Sequence, residues 1–241
     1  MLLELKPERF NLGDYDRQGV SVSGRPMIAD QSGALYWPGE SVLVVADMHL
    51  EKGSHYALRG QLLPPYDTRE TLVRLAQAID KFEADAVIAL GDNFHDADGP
   101  DRLGQQDREI LAILQDDRDW FWVTGNHDPH LPDWIGGHVV DELVVGGLTF
   151  RHEPLPGPQA REIAGHMHPA AKLSLYGATL RRPCFVGNGR RLVMPAFGAY
   201  TGGLNVLDDA FLPIFGQDGF SVLMMGSEGL YPVATRGLRG D

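Results

Sequence analysis

Three apolar runs in this chain each stop abruptly at an acid or an amide, and segments of helical periodicity lie between them. Val42-Leu43-Val44-Val45-Ala46 runs into Asp47-Met48-His49, and Ala86-Val87-Ile88-Ala89-Leu90 runs into Gly91-Asp92-Asn93-Phe94-His95-Asp96. The third, Asp119-Trp120-Phe121-Trp122-Val123, ends in Thr124-Gly125-Asn126-His127-Asp128. Continuous β-branched and aromatic runs of this length are strands buried on both faces. Between the first two, Leu72, Leu75, Ala76 and Ile79 recur at helical spacing, and Asp67-Thr68-Arg69-Glu70 is read as the cap of that helix. A second helix is expected around Arg108 to Leu114. Strand, loop and helix in repeated succession predict an α/β sheet with its ligand-binding groups along one edge.

The flanks read differently. Short apolar pieces before Val42, broken at Gly24-Arg25 and Ser32-Gly33, predict an antiparallel lead-in. After Pro129, Val139-Val140, Leu143-Val144-Val145, Leu148-Thr149-Phe150, Lys172-Leu173-Ser174-Leu175 and Arg191-Leu192-Val193-Met194 are short strands between Gly-rich turns, which predicts a second sheet packed on the first. The Pro-rich bend at Pro154-Leu155-Pro156-Gly157-Pro158 is read as a loop beside the site. A chain of 241 residues without a repeat or a linker is expected to be one domain over residues 1–241.

Composition excludes several classes. With 43% hydrophobic and 22% charged residues and no apolar run near the ~18 residues of a membrane span, no membrane association is expected. Residues 1–9 carry acids where an export signal needs a cationic head, so the expected location is cytoplasmic. Cys184 is the one cysteine, which rules out an internal disulfide and any cysteine-built metal cage. The net charge of -12 disfavours non-specific binding to a phosphate backbone, although bound divalent cations would reverse the local field.

Read singly, the polar strand ends are ordinary. Gly-Asn-His-Asp is turn chemistry, and a His in a strand is a hydrogen-bonded core residue. Read together, Asp47, His49, Asp92, Asn126, His152, His166 and His168 offer oxygen and nitrogen donors without sulfur. That set suits two divalent ions of intermediate hardness, such as manganese, iron or zinc. Period-two alternation is expected to turn Asp47 and His49 to the same side.

In order, Asp47-Met48-His49, Gly91-Asp92-Asn93-Phe94, Gly125-Asn126-His127-Asp128, the lone His152 and Gly165-His166-Met167-His168 resemble the motifs of the calcineurin-like metallophosphoesterase superfamily. The resemblance implies a four-layer αββα sandwich of two mixed sheets flanked by helices. It implies one metal on Asp47, His49 and His168, a second on Asn126, His152 and His166, and Asp92 between them. Two dications roughly 4 Å apart repel by roughly 17 kcal/mol at an effective dielectric of about 20, so an anionic bridge is a physical necessity. A metal-bridging hydroxide would then attack phosphorus while His127 assists the leaving group and Asp128 orients His127. His95 completes a G-D-x-x-H pattern similar to nuclease branches of the superfamily, which implies a place near the substrate phosphate; a helix cap or a support behind the metal ligands is the alternative. His55, His130 and His138 are read as surface or loop residues, and Arg181-Arg182 and Arg190-Arg191 as solvated turns, with contact to substrate phosphate as the alternative.

More narrowly, the first two motifs with Leu192-Val193-Met194-Pro195-Ala196-Phe197-Gly198-Ala199-Tyr200-Thr201-Gly202-Gly203 resemble the bacterial PdeM group, the ligase-associated DNA damage response endonucleases. That resemblance implies a manganese-dependent phosphodiesterase acting on DNA in repair, in functional association with a DNA ligase and a helicase; the acidic net charge is at odds with a DNA enzyme, and a short or single-stranded DNA substrate held mainly by the metals would ease that conflict. A small nucleotide or sugar-nucleotide phosphoesterase is the competing enzyme reading. A non-catalytic scaffold on the same fold is disfavoured by the complete ligand set and by His127.

Overall fold

The buried runs form strands, and their alternate residues serve two different cores. In the computed structural model, which describes residues 17–175 and 177–241, β4 (Val42–Val45) sends Val42 and Val44 to one side and Leu43 and Val45 to the other. β5 (Ala86–Leu90) divides the same way, with Ile88 and Leu90 opposite Val87 and Ala89. Both faces are therefore covered, which is why these stretches read as continuous apolar runs without polar alternation. Each Val or Leu so buried contributes about 1.5–3 kcal/mol.

Among the described residues the first sheet has the order β1 (Arg17–Val22), β2 (Arg25–Asp30), β3 (Leu35–Trp37), β4, β5, β6 (Asp119–Val123), β7 (His138–Val140). The lead-in strands pair antiparallel, and β4 through β7 pair parallel, so β4, β5 and β6 end on one edge. The crossovers carry α1 (Lys52–Leu58), α2 (Asp67–Phe82), the short α3 (Gly99–Arg102) and α4 (Gln105–Gln115). Leu72, Leu75 and Ile79 of α2 and Leu111 of α4 pack on Leu43, Val87 and Trp122.

The second sheet holds the strands from β8 (Glu142–Val145) through β9 (Leu148–Arg151), β10 (Glu162–Ala164), β11 (Pro169–Leu175), β12 (Ala178–Gly187), β13 (Arg191–Val193), β14 (Leu204–Asn205), β15 (Ser221–Met225) and β16 (Leu230–Val233). Its order is β14-β11-β12-β13-β10-β9-β8, with β15 also on β12 and β16 on β15. Phe150, Ile163, Phe185 and Leu192 face the first sheet, and Trp37 stacks on Phe150 across the gap at 6.4 Å. Cys184, Val186 and Val222 face outward under Phe211, Ile214 and Phe215, the last two from α5 (Leu212–Phe215). The result is helix, sheet, sheet and helical cover, the mixed-sheet αββα sandwich.

Four expectations are corrected here. β7 joins the first sheet as its last parallel strand, because Val139 pairs with Trp122, and the second sheet begins only at Glu142. The proposed cap of α2 does not cap it. The N-cap is Tyr66, while Asp67 accepts the N–H of Gly53 at 2.9 Å and Thr68 accepts that of Glu51 at 2.8 Å, so both side chains dock α1. Arg181 and Arg182 lie in β12, and Arg191 opens β13 fully buried. The Pro-rich bend leads to the amino ends of β10 and β13, opposite the site, where Arg191 holds the carbonyls of Leu155 at 2.7 Å and Gly157 at 3.1 Å. The export-signal reading of residues 1–9 lies outside the described residues.

Arg191 also bonds the Ile214 carbonyl at 2.8 Å and pairs with buried Glu162. Removing it leaves the buried Glu162 carboxylate with only Arg151, at 3.6 Å, and the Leu155 N–H, at 3.1 Å, for partners. Arg191→Ala is expected to lower the unfolding free energy by about 3–5 kcal/mol in urea denaturation.

Candidate metal centre

The strands end where the backbone turns left-handed. Asp47 (φ 52°), His49 (φ 44°) and Asp92 (φ 46°) do so on the first sheet, and His166 (φ 67°) and His168 (φ 42°) on the second. Each such residue costs roughly 1–3 kcal/mol and persists only where its surroundings over-determine it. Asp47 and His49 thus come together through left-handed backbone and not through strand alternation, since the extended chain stops at Val45. Hydrogen bonds fix this path: His49 N donates to Asp92 O at 2.9 Å, Leu50 N to Asn93 O at 2.8 Å, and His95 N to Leu50 O at 2.9 Å. From the other sheet, Phe197 N donates to Ala46 O at 2.7 Å and Gly198 N to Asp47 O at 3.1 Å. A Cβ on Gly198 would stand 2.0 Å from the Met48 carbonyl oxygen, so only glycine lets residues 196–199 lie against this turn.

Two donor groups result. Asp47, His49 and His168 form one: His49 Nε2 and His168 Nε2 are 3.2 Å apart, and His168 Nε2 is 3.2 Å from Asp47 Oδ1. His152 and His166 form the other with Asp92, and Asn126 joins them: His152 Nε2 is 3.1 Å from His166 Nδ1, 3.0 Å from Asn126 Oδ1 and 3.3 Å from Asp92 Oδ1. The second oxygen of Asp92, Oδ2, faces the first group, 3.8 Å from His49 Nε2. One carboxylate thus serves both groups through different oxygens. His152 Nδ1 faces the Leu90 carbonyl at 3.0 Å, which turns Nε2 toward the other donors.

The profile of the family Calcineurin-like phosphoesterase matches residues 41–189, more than half of the 241-residue chain. The chain belongs to this family. It is a metal-dependent phosphoesterase, and the family's use of divalent ions agrees with the donor set, since the ligand atoms of each group lie within 4.8 Å of one another and are oxygen and imidazole nitrogen. The residues present fit such ions. Among solved structures, the Pseudomonas putida nuclease MPE is similar over 90% of this chain and 100% of its own, at 26% identity and a TM-score of 0.70, consistent with the PdeM-like group. The phosphoesterase Yfce from E. coli covers 80% of this chain and 98% of its own at 15% identity and a TM-score of 0.40. No curated protein matches the chain significantly.

The rim of this phosphoesterase site departs from the sequence reading at two residues. Asp128 does not touch His127. Its buried carboxylate accepts the N–H groups of Asn93 at 2.7 Å, Gly125 at 3.0 Å and Phe94 at 3.1 Å, tying the turn after β6 to the loop after β5. His127 is held instead by the His95 carbonyl, 2.6 Å from Nδ1, with Nε2 3.8 Å from Asp92 Oδ2. The second departure is His55, which sits on α1 beside the site, edge-on to His95 at 4.7 Å and bonded to Asp96. Asp96 is in turn gripped by Arg102 at 2.9 and 2.7 Å. No sequence spacing signalled that contact, because it depends on how α1 folds back over the Asp92 loop. His130 and His138 are exposed, as expected. His49, His95 and His127 form a third close group.

Protons are sorted across this cluster. Burial, reinforced by the charge of His168, lowers His49 to about 2, so it is neutral without metal. Burial and then Lys52 and His55 lower His95 to about 4. Burial pushes His152 the same way, but its hydrogen bond with Asp92 and the charges of Asp47 and Asp92 prevail and hold it at about 9. Below that value the metal-free His152 is protonated, and a cation must displace the proton. Manganese uptake by metal-free protein at neutral pH is therefore expected to release a proton and to strengthen as pH rises toward about 9, measurable by calorimetry in buffers of different ionisation enthalpy. Gly198→Ala is expected to cost about 1–3 kcal/mol of stability and to reduce metal content at fixed free manganese.

Proposed function

We propose that this phosphoesterase is a phosphodiesterase that cleaves single-stranded DNA internally, acting as one domain in the cytoplasm in concert with a DNA ligase and a helicase of a repair system. The observation that carries the catalytic part is Asp92, whose two oxygens face separate donor groups. The likeness to the nuclease MPE over 90% of the chain supports a nucleic-acid substrate.

In this reading Asp47, His49 and His168 would hold one divalent ion, Asn126, His152 and His166 the other, and Asp92 both, with manganese as the native metal. Bound there, the ions supply positive charge against the phosphate oxygens and an acidified water as nucleophile. The chain's own contribution is positional. His127 Nδ1 donates a hydrogen bond to the His95 carbonyl, so Nε2, at the half-open rim, is the nitrogen that, with the ring as imidazolium, gives its proton to the leaving oxygen and leaves the ring neutral. His95, kept neutral at ordinary pH and beside His127 at 5.5 Å, binds a phosphate oxygen as a hydrogen-bond donor. Asp128 keeps the turn in place by holding three amides and has no contact with the reacting atoms.

The test separates these roles. His127→Ala is expected to keep its metal and lose most turnover, on the order of 10²–10⁴-fold, on bis(p-nitrophenyl) phosphate and on single-stranded DNA alike. Asp92→Ala is expected to lose metal as well, by elemental analysis after dialysis. Hydrolysis of a nucleotide pyrophosphate or a cyclic nucleotide in place of DNA by the unaltered enzyme would replace the substrate reading with that of a small-nucleotide phosphoesterase.

A further inference from the structure

A second cleft opens beside the metal centre, with His168 as a shared wall. It measures ≈ 210 Å³ and is lined further by Arg181, Arg182, Thr201, Gly202 and Gly203. Water occupies roughly 30 Å³ per molecule, so this space accommodates a phosphate group with its first solvent. Its wall mixes these donors with Pro169, Ala170, Pro183 and Ala196. Arg181 lies along the cleft with Nη2 on the Gly203 carbonyl at 2.6 Å and within 3.4 Å of Asp241. Arg182 bonds only its neighbour's carbonyl, Arg181 O, at 3.0 Å, and no carboxylate of the described residues pairs with it. The backbone N–H groups of Thr201, Gly202 and Gly203 have no protein acceptor among the described residues. A side chain at Gly202 would meet open space, while one at Gly203 would meet the His168 carbonyl at 2.5 Å.

Arg69, Arg102 and Arg190 pair with Asp107, Asp96 and Asp218, whereas Arg182, like Arg108 and Arg118, bonds only backbone carbonyls among the described residues. Arg182 and residues 201–203 share the wall of one concave cradle beside His168. A substrate with a single phosphate engages the metal centre and leaves the cradle unused. A polynucleotide strand carries further phosphates along its length.

We propose that this cleft is a subsite for a non-reacting internucleotide phosphate, one that flanks the scissile bond of a single-stranded substrate. It rests on the phosphodiesterase reading above and deepens it. The subsite selects polymers over mononucleotides, and it reconciles an acidic protein with a polyanionic substrate by confining the positive potential to one path. The guanidinium of Arg182 binds the phosphate oxygens, and the amides of residues 201–203 add directional donors that the salt of the medium screens less.

The experiment compares unaltered enzyme, Arg182→Ala and Arg182→Lys, all loaded with manganese, on bis(p-nitrophenyl) phosphate and on an oligothymidylate of about ten nucleotides. KM and kcat are measured over a range of salt concentrations. Arg182→Ala is expected to raise KM for the oligonucleotide about five-fold or more with kcat little changed, and to flatten the dependence of log KM on log salt by about 0.7. The aryl diester, which has no flanking phosphate, is expected to shift in KM by less than about two-fold, and Arg182→Lys to recover most of the lost affinity. An unchanged oligonucleotide KM in Arg182→Ala, or an equal change on both substrates, overturns the subsite. Failure of the unaltered enzyme to cut the oligonucleotide while it cleaves the aryl diester overturns the DNA reading itself, an outcome visible without any variant.

Discussion

The geometry of the metal centre depends on buried carboxylates that accept backbone N–H groups from neighbouring loops. Asp47, Asp92 and Asp128 are almost wholly shielded from water. A buried carboxylate is tolerable only when hydrogen bonds replace its hydration. Asp47 takes the N–H of His166 at 2.9 Å from the second sheet, and Asp92 takes that of His127 at 2.9 Å from the next loop. Asp128 takes three amides from two loops. These bonds stitch strand ends that share no regular secondary structure, and they supply the restraint that keeps five left-handed residues in place. Gly125 marks how tight the stitching is, since a Cβ there would lie 2.1 Å from the Asp92 nitrogen.

The sequence made the strands legible because burial on both faces leaves a continuous apolar run, as in β4, β5 and β6. It made the strand-end donors visible because polar residues directly after such runs have few purely structural explanations once several occur in order. What it hid were contacts set by tertiary folding. Asp67 and Thr68 look like a cap, but α1 offers competing amides and wins them. Asp128 follows His127 in sequence, yet consecutive side chains on a tight turn diverge, and the carbonyl of His95 is the nearer partner. β12 escaped notice because half of it is solvated on both sides and carries Arg181-Arg182-Pro183, while its other half is core. His55 reached the site only through the path of α1.

The electrostatic character of the site is likewise collective. Six imidazoles surround two or three carboxylates, and the environment drives neighbouring histidines in opposite directions, His49 down to about 2 and His152 up to about 9. Burial lowers both rings. At His49 it prevails over Asp92, 3.8 Å away, with His168, His127 and His95 adding to it, whereas His152 faces both Asp47 and Asp92, at 3.7 and 3.3 Å, and these outweigh burial. The acidic chain thus lowers His49, His95 and His166 while raising His152, all at one place on its surface.

Neither donor group belongs to one sheet. Asp47, His49, Asp92 and Asn126 follow strands of the first, while His152, His166 and His168 follow strands of the second. Half-made protein emerging during synthesis therefore holds no complete coordination set, even after its first sheet has formed. A cation held by these donors would require both sheets docked in register, and would then act as a seal on finished assembly.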